Sequence, residues 1–412
     1  MHYDLIVIGM GLSGLMAAKT AAEAGKRVLV IGKGIGTLSL FSNTIDVLGK
    51  IPETMSMVEG LSGWVCDHPE HPYAKMGRDT IEEALSSFCS LFPSPYSFDS
   101  VGDGNCLIPT GVGTFRPTRL VPSTMRAGVS LKKGEALIVG FKGFKDFYAG
   151  YAADHFECRS LILSLPEASN HEITSTALAR WMESKPFRDR IGHQLRRELK
   201  DETRVGFPAV LGVNDPSRTQ KGLEEILGVG VFEIPNLPPS IPGMRIFHRF
   251  RERLIERGVA FLLGYPVSEA VFSGNRCVGI QIHHPPVTTS YTADRYLLAS
   301  GRFVGGGLAA GPEKISEPLF RLPVEQPESR RDWFGTSFLA SSSHAVHSCG
   351  IRVDQAFRPV DGRGKPLFEN VWVAGSILSG HHFVEEGSRE GISISTGYAA
   401  AKNALNLFTP IV

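Results

Sequence analysis

Three groups of residues carry chemistry by type and spacing. The first is Gly9, Gly11 and Gly14, a G-x-G-x-x-G turn. Between an apolar run and an Ala-rich stretch, such a turn points bare N–H groups at a phosphate. Gly9 serves the tight turn, Gly11 lets the backbone approach the ligand, and Gly14 lets helix pack on strand. The second group is His381, His382 and Arg389 in "SGHHFVEEGSREG". Histidine takes up a proton near neutral pH, as a general base must, and arginine holds a phosphate. The alternatives are a solvated loop pair, and a helix-spaced bridge from Arg389 to Glu385 or Glu386. The third group is Ser39, Ser42, Asn43 and Thr44. Their hydroxyls and amide suit ligand oxygens, or an ordinary polar turn.

These groups need elements to hold them. Residues 5–8 and 28–31 are apolar runs of strand length, and 15–24 is a helix former stopped by Gly25, which makes a βαβ unit. A dinucleotide fingerprint ends in Asp or Glu after the second strand, to accept from a ribose hydroxyl. This chain has Gly32 and Lys33 there, so Lys33 is left for a phosphate or for water. Two late strands, 296–299 and 371–374, lead into Ser300 and Gly301, and into Gly375 and Ser376. A final helix over 391–405 opens on Gly391 and Ile392, and its positive end suits an anion.

The predicted fold class is α/β: a Rossmann-like FAD/NAD(P)-binding domain with a large inserted α+β second domain. The expected boundaries are 1–49 with 241–311 and 346–412 for the first, and 50–240 with 312–345 for the insert. Residues 50–75 read as loop, 79–92 and 174–199 as helical, and 235–243 as a proline-rich connector. The arginines at 116, 119 and 126 flank turns of the insert and read as surface, anion-binding or partner-contacting residues.

Bulk properties narrow the class. The 412 residues carry a net charge of +1, which gives no electrostatic case for nucleic acid. Hydrophobic residues make up 42%, enough for a core. Six cysteines stand singly at 66, 89, 106, 158, 277 and 349, with no C-x-x-C pair, so no iron–sulfur cluster is expected. His344, His347 and Cys349 lack a fourth nearby ligand, and no metal is expected. The chain enters a strand at once and has no membrane-length apolar run, so a cytoplasmic protein without a signal peptide is expected.

The late strand of h-x-h-A-G type and the glycine-rich last helix resemble the two-dinucleotide-binding-domain flavoproteins. The likeness narrows with "FSNTIDVLG" (41–49), "PTGVGTFRPT" (109–118), "LPPSIPGMRI" (237–246), "LLASGRFVGGGL" (297–308), "EPLF" (317–320) and "NVWVAGSILSG" (370–380). Nearly end to end, the chain resembles the B subunits of anaerobic glycerol-3-phosphate dehydrogenase. That resemblance implies bound FMN, with FAD as second choice, since the missing ribose acceptor matters less without adenosine. It also implies a catalytic FAD subunit and an iron–sulfur membrane-anchoring subunit as partners. Electrons would pass from sn-glycerol 3-phosphate to membrane quinone, with the chain held at the inner face through a partner. The charged segment 381–390 departs from the apolar, glycine-dense run the resemblance implies. It keeps open a self-sufficient flavin oxidoreductase on another small polar substrate. The absent carboxylates at Gly32 and Ser376 keep open a flavin-free assembly subunit.

Overall fold

The computed structural model describes residues 2–168, 172–338 and 344–408. It divides into two compact units, Met1–Thr37 with Val58–Leu91 and Arg249–Val412, and Leu38–Met57 with Phe92–His248.

The first unit is built on a seven-stranded mixed sheet. Strand β1 (His2–Ile8) lies at its centre, and its second half is fully buried, as expected of a parallel strand covered on both faces. Helix α1 (Leu12–Glu23) crosses over to β2 (Val28–Gly32), which pairs parallel to β1 with Leu5 opposite Val28. The strand Ala260–Leu263 extends the sheet beyond β2. On the other side of β1 runs the long strand Val287–Leu298, with Ile8 opposite Leu298. Its first half instead pairs antiparallel with Arg276–His284, while Tyr296–Leu298 pairs parallel with Val371–Val373.

This register brings the carboxyl ends of β1, β2, Val287–Leu298 and Val371–Val373 to one edge, where open parallel sheets bind ligands. Backbone hydrogen bonds continue past the strand ends. Gly9 N–H donates to the Ile31 carbonyl at 2.7 Å, Ala299 N–H to Ile8 at 2.8 Å, and Ala374 N–H to Leu298 at 3.0 Å. The closing helix Arg389–Ala404 packs on α1, and small residues permit the approach: a Cβ at Gly397 would stand 2.3 Å from the Ser13 carbonyl oxygen.

The second unit holds a four-stranded parallel sheet in the order Gly230–Ile234, Arg204–Pro208, Ala136–Phe141, Arg159–Leu163. Short antiparallel ribbons, Phe98–Ser100 with Leu120–Pro122 and Cys106–Pro109 with Phe115–Thr118, accompany it. Its core includes Leu137, Val139, Phe207, Val231 and Phe232, all with no exposed surface.

The boundaries differ from those expected. Residues 58–91 and 312–338 lie in the first unit, not in an insert. The stretch 50–75 is not all loop, because Met57–Asp67 is a helix despite its two glycines. The helix Arg78–Cys89 packs on Arg389–Ala404, which is why it belongs with the seven-stranded sheet. The residues at 339–343, part of the expected return to the insert, lie outside the described residues.

Candidate functional site

The glycine turn separates into two roles. A Cβ at Gly9 would lie 2.2 Å from the Ala299 carbonyl oxygen, and one at Gly14 would lie 2.0 Å from that of Gly9. Those glycines are demanded by the protein's own packing. A Cβ at Gly11 would meet nothing within 4 Å. Helix α1 starts there with no side-chain cap. Bare backbone, open space and uncapped first-turn N–H groups together fit a phosphate-bearing cofactor. Gly36, at φ +62°, passes close by: its Cβ would lie 3.0 Å from the Gly11 Cα.

Gly32 has a packing reason of its own. A Cβ there would stand 3.0 Å from the Met10 backbone nitrogen and from its side chain. Lys33 is exposed. Gly375 holds φ +85° and lies against Ser13, where a Cβ would come 2.3 Å from Oγ. Its N–H donates to Thr396 Oγ1 at 2.8 Å, which ties the late strand end to the closing helix. Ser376 Oγ is 3.6 Å from the Cβ position of Gly301, so the two late turns adjoin. Gly391 and Ile392 are buried in the first turn of the closing helix, where Ile392 N–H bonds the Ser388 carbonyl at 2.9 Å.

Beside these turns lies a buried cluster. His381 is 2% exposed and His382 8%, so neither belongs to a solvated loop. Glu386 organises the cluster. One of its oxygens accepts the His382 N–H at 2.6 Å, and the other accepts from Ser388 Oγ at 2.9 Å and His71 Nε2 at 3.2 Å. Burial alone would raise the Glu386 carboxyl, but the hydrogen bond and charge of His71 outweigh it and hold the group below its ordinary value.

The hydrogen bonds also fix two tautomers. His71 Nδ1 accepts from Tyr73 N–H at 3.1 Å, so in the neutral ring the proton sits on Nε2, facing Glu386. His382 Nδ1 accepts from Glu385 N–H at 3.1 Å, so its Nε2 is a donor. That Nε2 has no partner. In His381 neither ring nitrogen completes a hydrogen bond. Burial pushes His381 well below the ordinary histidine value, and Arg302 and His71 push the same way. His381 is therefore neutral at pH 7, with a lone pair to offer. His347, 5.3 Å from His382 between ring centroids, is also lowered, first by burial and then by His382.

Arg302 was not among the expected site residues. It is 7% exposed, and its Nη2 donates to the carbonyls of Leu378 at 3.0 Å and His381 at 3.2 Å. Among the described residues Nε and Nη1 have no hydrogen-bond partner, and the guanidinium lies 5.4 Å from the centre of the Phe383 ring. Burial brings its pKa down to about 10. Arg389, expected to hold phosphate or to bridge Glu385 or Glu386, donates from Nε to Glu390 at 2.8 Å.

The polar run is committed elsewhere. Asn43, in the second unit, donates to the carbonyls of Leu38 and Phe41 and to Ser240 Oγ at 3.0 Å. Thr44 donates to Asp46, Ser42 Oγ accepts from Arg116 at 2.9 Å, and the Ser39 carbonyl accepts from Ser240. Arg116 also pairs with Asp46, and Arg119 is spent on the carbonyls of Gly102 and Gly104. The side chains of Ser42, Asn43, Thr44, Arg116 and Arg119 brace loops of that unit.

Among the described residues, no group of three or more His, Cys, Asp or Glu is placed to hold a metal ion, and no helix is long and apolar enough to cross a membrane.

Known proteins match the chain over nearly its whole length. The model of the FAD binding domain family matches residues 4–393. A Halobacterium salinarum protein, named as the probable B subunit of anaerobic glycerol-3-phosphate dehydrogenase, is 32% identical, covering 97% of each chain. A Vibrio cholerae protein, named as the B subunit of anaerobic glycerol-3-phosphate dehydrogenase, is 30% identical, covering 98% of this chain and 97% of that one. Among solved structures, 3-ketosteroid delta1-dehydrogenase from Sterolibacterium denitrificans aligns over 99% of this chain and all of that one, at 11% identity and a TM-score of 0.47.

Proposed function

Since this chain belongs to the FAD-binding domain family and to the group of anaerobic glycerol-3-phosphate dehydrogenase B subunits, we propose that it is a flavin-dependent subunit of a quinone-linked dehydrogenase. Its reaction is the oxidation of sn-glycerol 3-phosphate to dihydroxyacetone phosphate. One observation carries this reading: the open, uncapped Gly11 turn and the buried histidine cluster follow strands that end at the same edge of one sheet.

When bound, the flavin supplies the two-electron acceptor this oxidation needs. The chain's own groups handle the proton and the orientation. His381, held neutral by burial, takes the hydroxyl proton. His382 orients a substrate oxygen through its Nε2–H, and Glu386 fixes both His382 and His71. Burial excludes water from these groups.

We read the flavin as FAD rather than FMN. The matching family is described as an FAD binding domain, and Met10 accounts for Gly32 without reference to a ribose. The word subunit in the relatives' names supports partner chains, which we assign as a catalytic FAD subunit and an iron–sulfur membrane-anchoring subunit that pass electrons to quinone. The chain then sits at the inner face of the membrane through those partners. Denaturing the purified protein and identifying the released cofactor by chromatography tests the flavin: FAD is expected, and FMN or no flavin overturns it. Anaerobic addition of sn-glycerol 3-phosphate, with and without the partner chains, tests the reaction through bleaching of the flavin absorbance. A flavin that never bleaches removes the substrate.

A further inference from the structure

Ser300, Arg302 and His382 lie on the two loops that leave adjacent parallel strands, and each keeps a buried donor without a partner. We propose that Arg302, with the His382 Nε2–H and the Ser300 hydroxyl, forms a buried oxyanion site that takes the phosphoryl group of the substrate. The inference rests on the reaction proposed above and names the part of the site that recognises the substrate.

The argument begins with charge. A guanidinium 7% exposed is strongly disfavoured without a counter-anion. Among the described residues its hydrogen bonds go from Nη2 to the Leu378 and His381 carbonyls and its Cζ lies 5.4 Å from the centre of the Phe383 ring, which holds the group in place and leaves Nε and Nη1 unspent. Glu386, the carboxylate whose charge reaches Arg302, already accepts from His71, His382 and Ser388. The unspent donors of the guanidinium are thus left for an anion brought by a ligand. At a pKa of about 10 the guanidinium stays charged at neutral pH.

The donor set points to the class of anion. The cation stands two residues from Ser300 and holds the carbonyl of His381, the neighbour of His382, so one fixed cation and two neutral donors come from separate chain segments, a set that suits an anion with several terminal oxygens. Phosphate binding moves from Arg389, engaged by Glu390, to Arg302. The neutral His381, whose carbonyl Arg302 touches at 3.2 Å, then lies next to the bound head group, where the adjoining carbinol of a glycerol phosphate would sit.

The test uses the purified full-length protein with its cofactor. Inorganic phosphate, sn-glycerol 3-phosphate and uncharged glycerol are titrated calorimetrically, and the melting temperature is followed in parallel. The two phosphates are expected to bind and to raise the melting temperature, and glycerol to do neither. Arg302→Met is expected to weaken phosphate binding about tenfold to hundredfold. Arg302→Lys keeps the charge but not the planar fork, so it should fold and still bind more weakly than the native protein. Ser300→Ala should weaken binding severalfold with Arg302 untouched. Native phosphate affinity in a folded Met or Lys variant overturns the proposal. Loss of flavin in Arg302→Met, with no phosphate binding by the native protein, also overturns it and gives the cation to the cofactor. The two readings separate cleanly. Arg302-dependent phosphate binding without glycerol 3-phosphate oxidation leaves the oxyanion site and removes the reaction. Oxidation undiminished in Arg302→Met does the reverse.

Discussion

Two buried arginines, Arg245 in one unit and Arg302 in the other, are treated in opposite ways. Arg245, in the second unit, is 4% exposed. It meets both Glu233 oxygens at 2.7 Å and the Gly212 carbonyl at 2.8 Å. Burial works against its charge, yet Glu233 outweighs that and holds it more firmly protonated than usual. Arg302 in the first unit is as well buried, has no carboxylate, and is pulled down to about 10. The closed pair serves the fold, whereas the unfinished guanidinium follows a strand end at the edge where open parallel sheets bind ligands, and leaves donors for a partner supplied from outside.

Four measurements can break or sharpen that contrast. The largest effect belongs to the closed pair. Glu233→Gln strands Arg245 in the core and should lower unfolding free energy by about 3–5 kcal/mol in denaturant titration. Next comes a change of opposite sign. Arg302→Met removes an unpaired buried cation and should leave the ligand-free protein unchanged or more stable by about 1–4 kcal/mol. A loss as large as that of Glu233→Gln would mean the two arginines do the same job.

The third concerns pH. Burial holds His381 well below about 6.5 in the native protein, so below that pH the unfolded chain binds a proton the folded one refuses. Stability should fall as pH drops through that window, by up to about 1.4 kcal/mol per pH unit, and His381→Phe should flatten the slope. An unchanged slope would show that His381 is not held neutral. The smallest effect on folding is Gly11→Ala, about 1 kcal/mol or less, because the added methyl meets open space. Bound flavin, measured by absorbance, should nonetheless drop sharply. Gly14→Ala, whose Cβ would lie 2.0 Å from a carbonyl oxygen, should cost the fold itself.

The glycine turn, the strands beside it and the closing helix were legible in sequence because their signals are local: apolar runs, turn glycines and periodicity. The likeness carried by "LLASGRFVGGGL" and "NVWVAGSILSG" was legible too, and the relatives bear it out. Arg302 stands inside the first of those motifs, next to Ser300 and Gly301, and was passed over. The available signal was a lone arginine just past a buried strand, but burial and missing partners are not written in one dimension. His71 was invisible for another reason. It meets Glu386 across 315 positions, a pairing that only the fold creates. Asn43 and Thr44 show the converse difficulty. Their residue types suit a ligand, while their neighbours in space use up the hydrogen bonds of Asn43 and Thr44.

Glu386 has a consequence for how this site can evolve. One carboxylate answers a backbone N–H, a serine hydroxyl and a histidine from a distant loop. Removing it strands all three at once, and removing His71 leaves a buried anion short of a donor. Such residues are expected to be strongly non-additive in double-mutant cycles. A lineage leaving this arrangement must change both positions nearly together, so His71 and Glu386 form a single heritable unit despite lying at opposite ends of the chain.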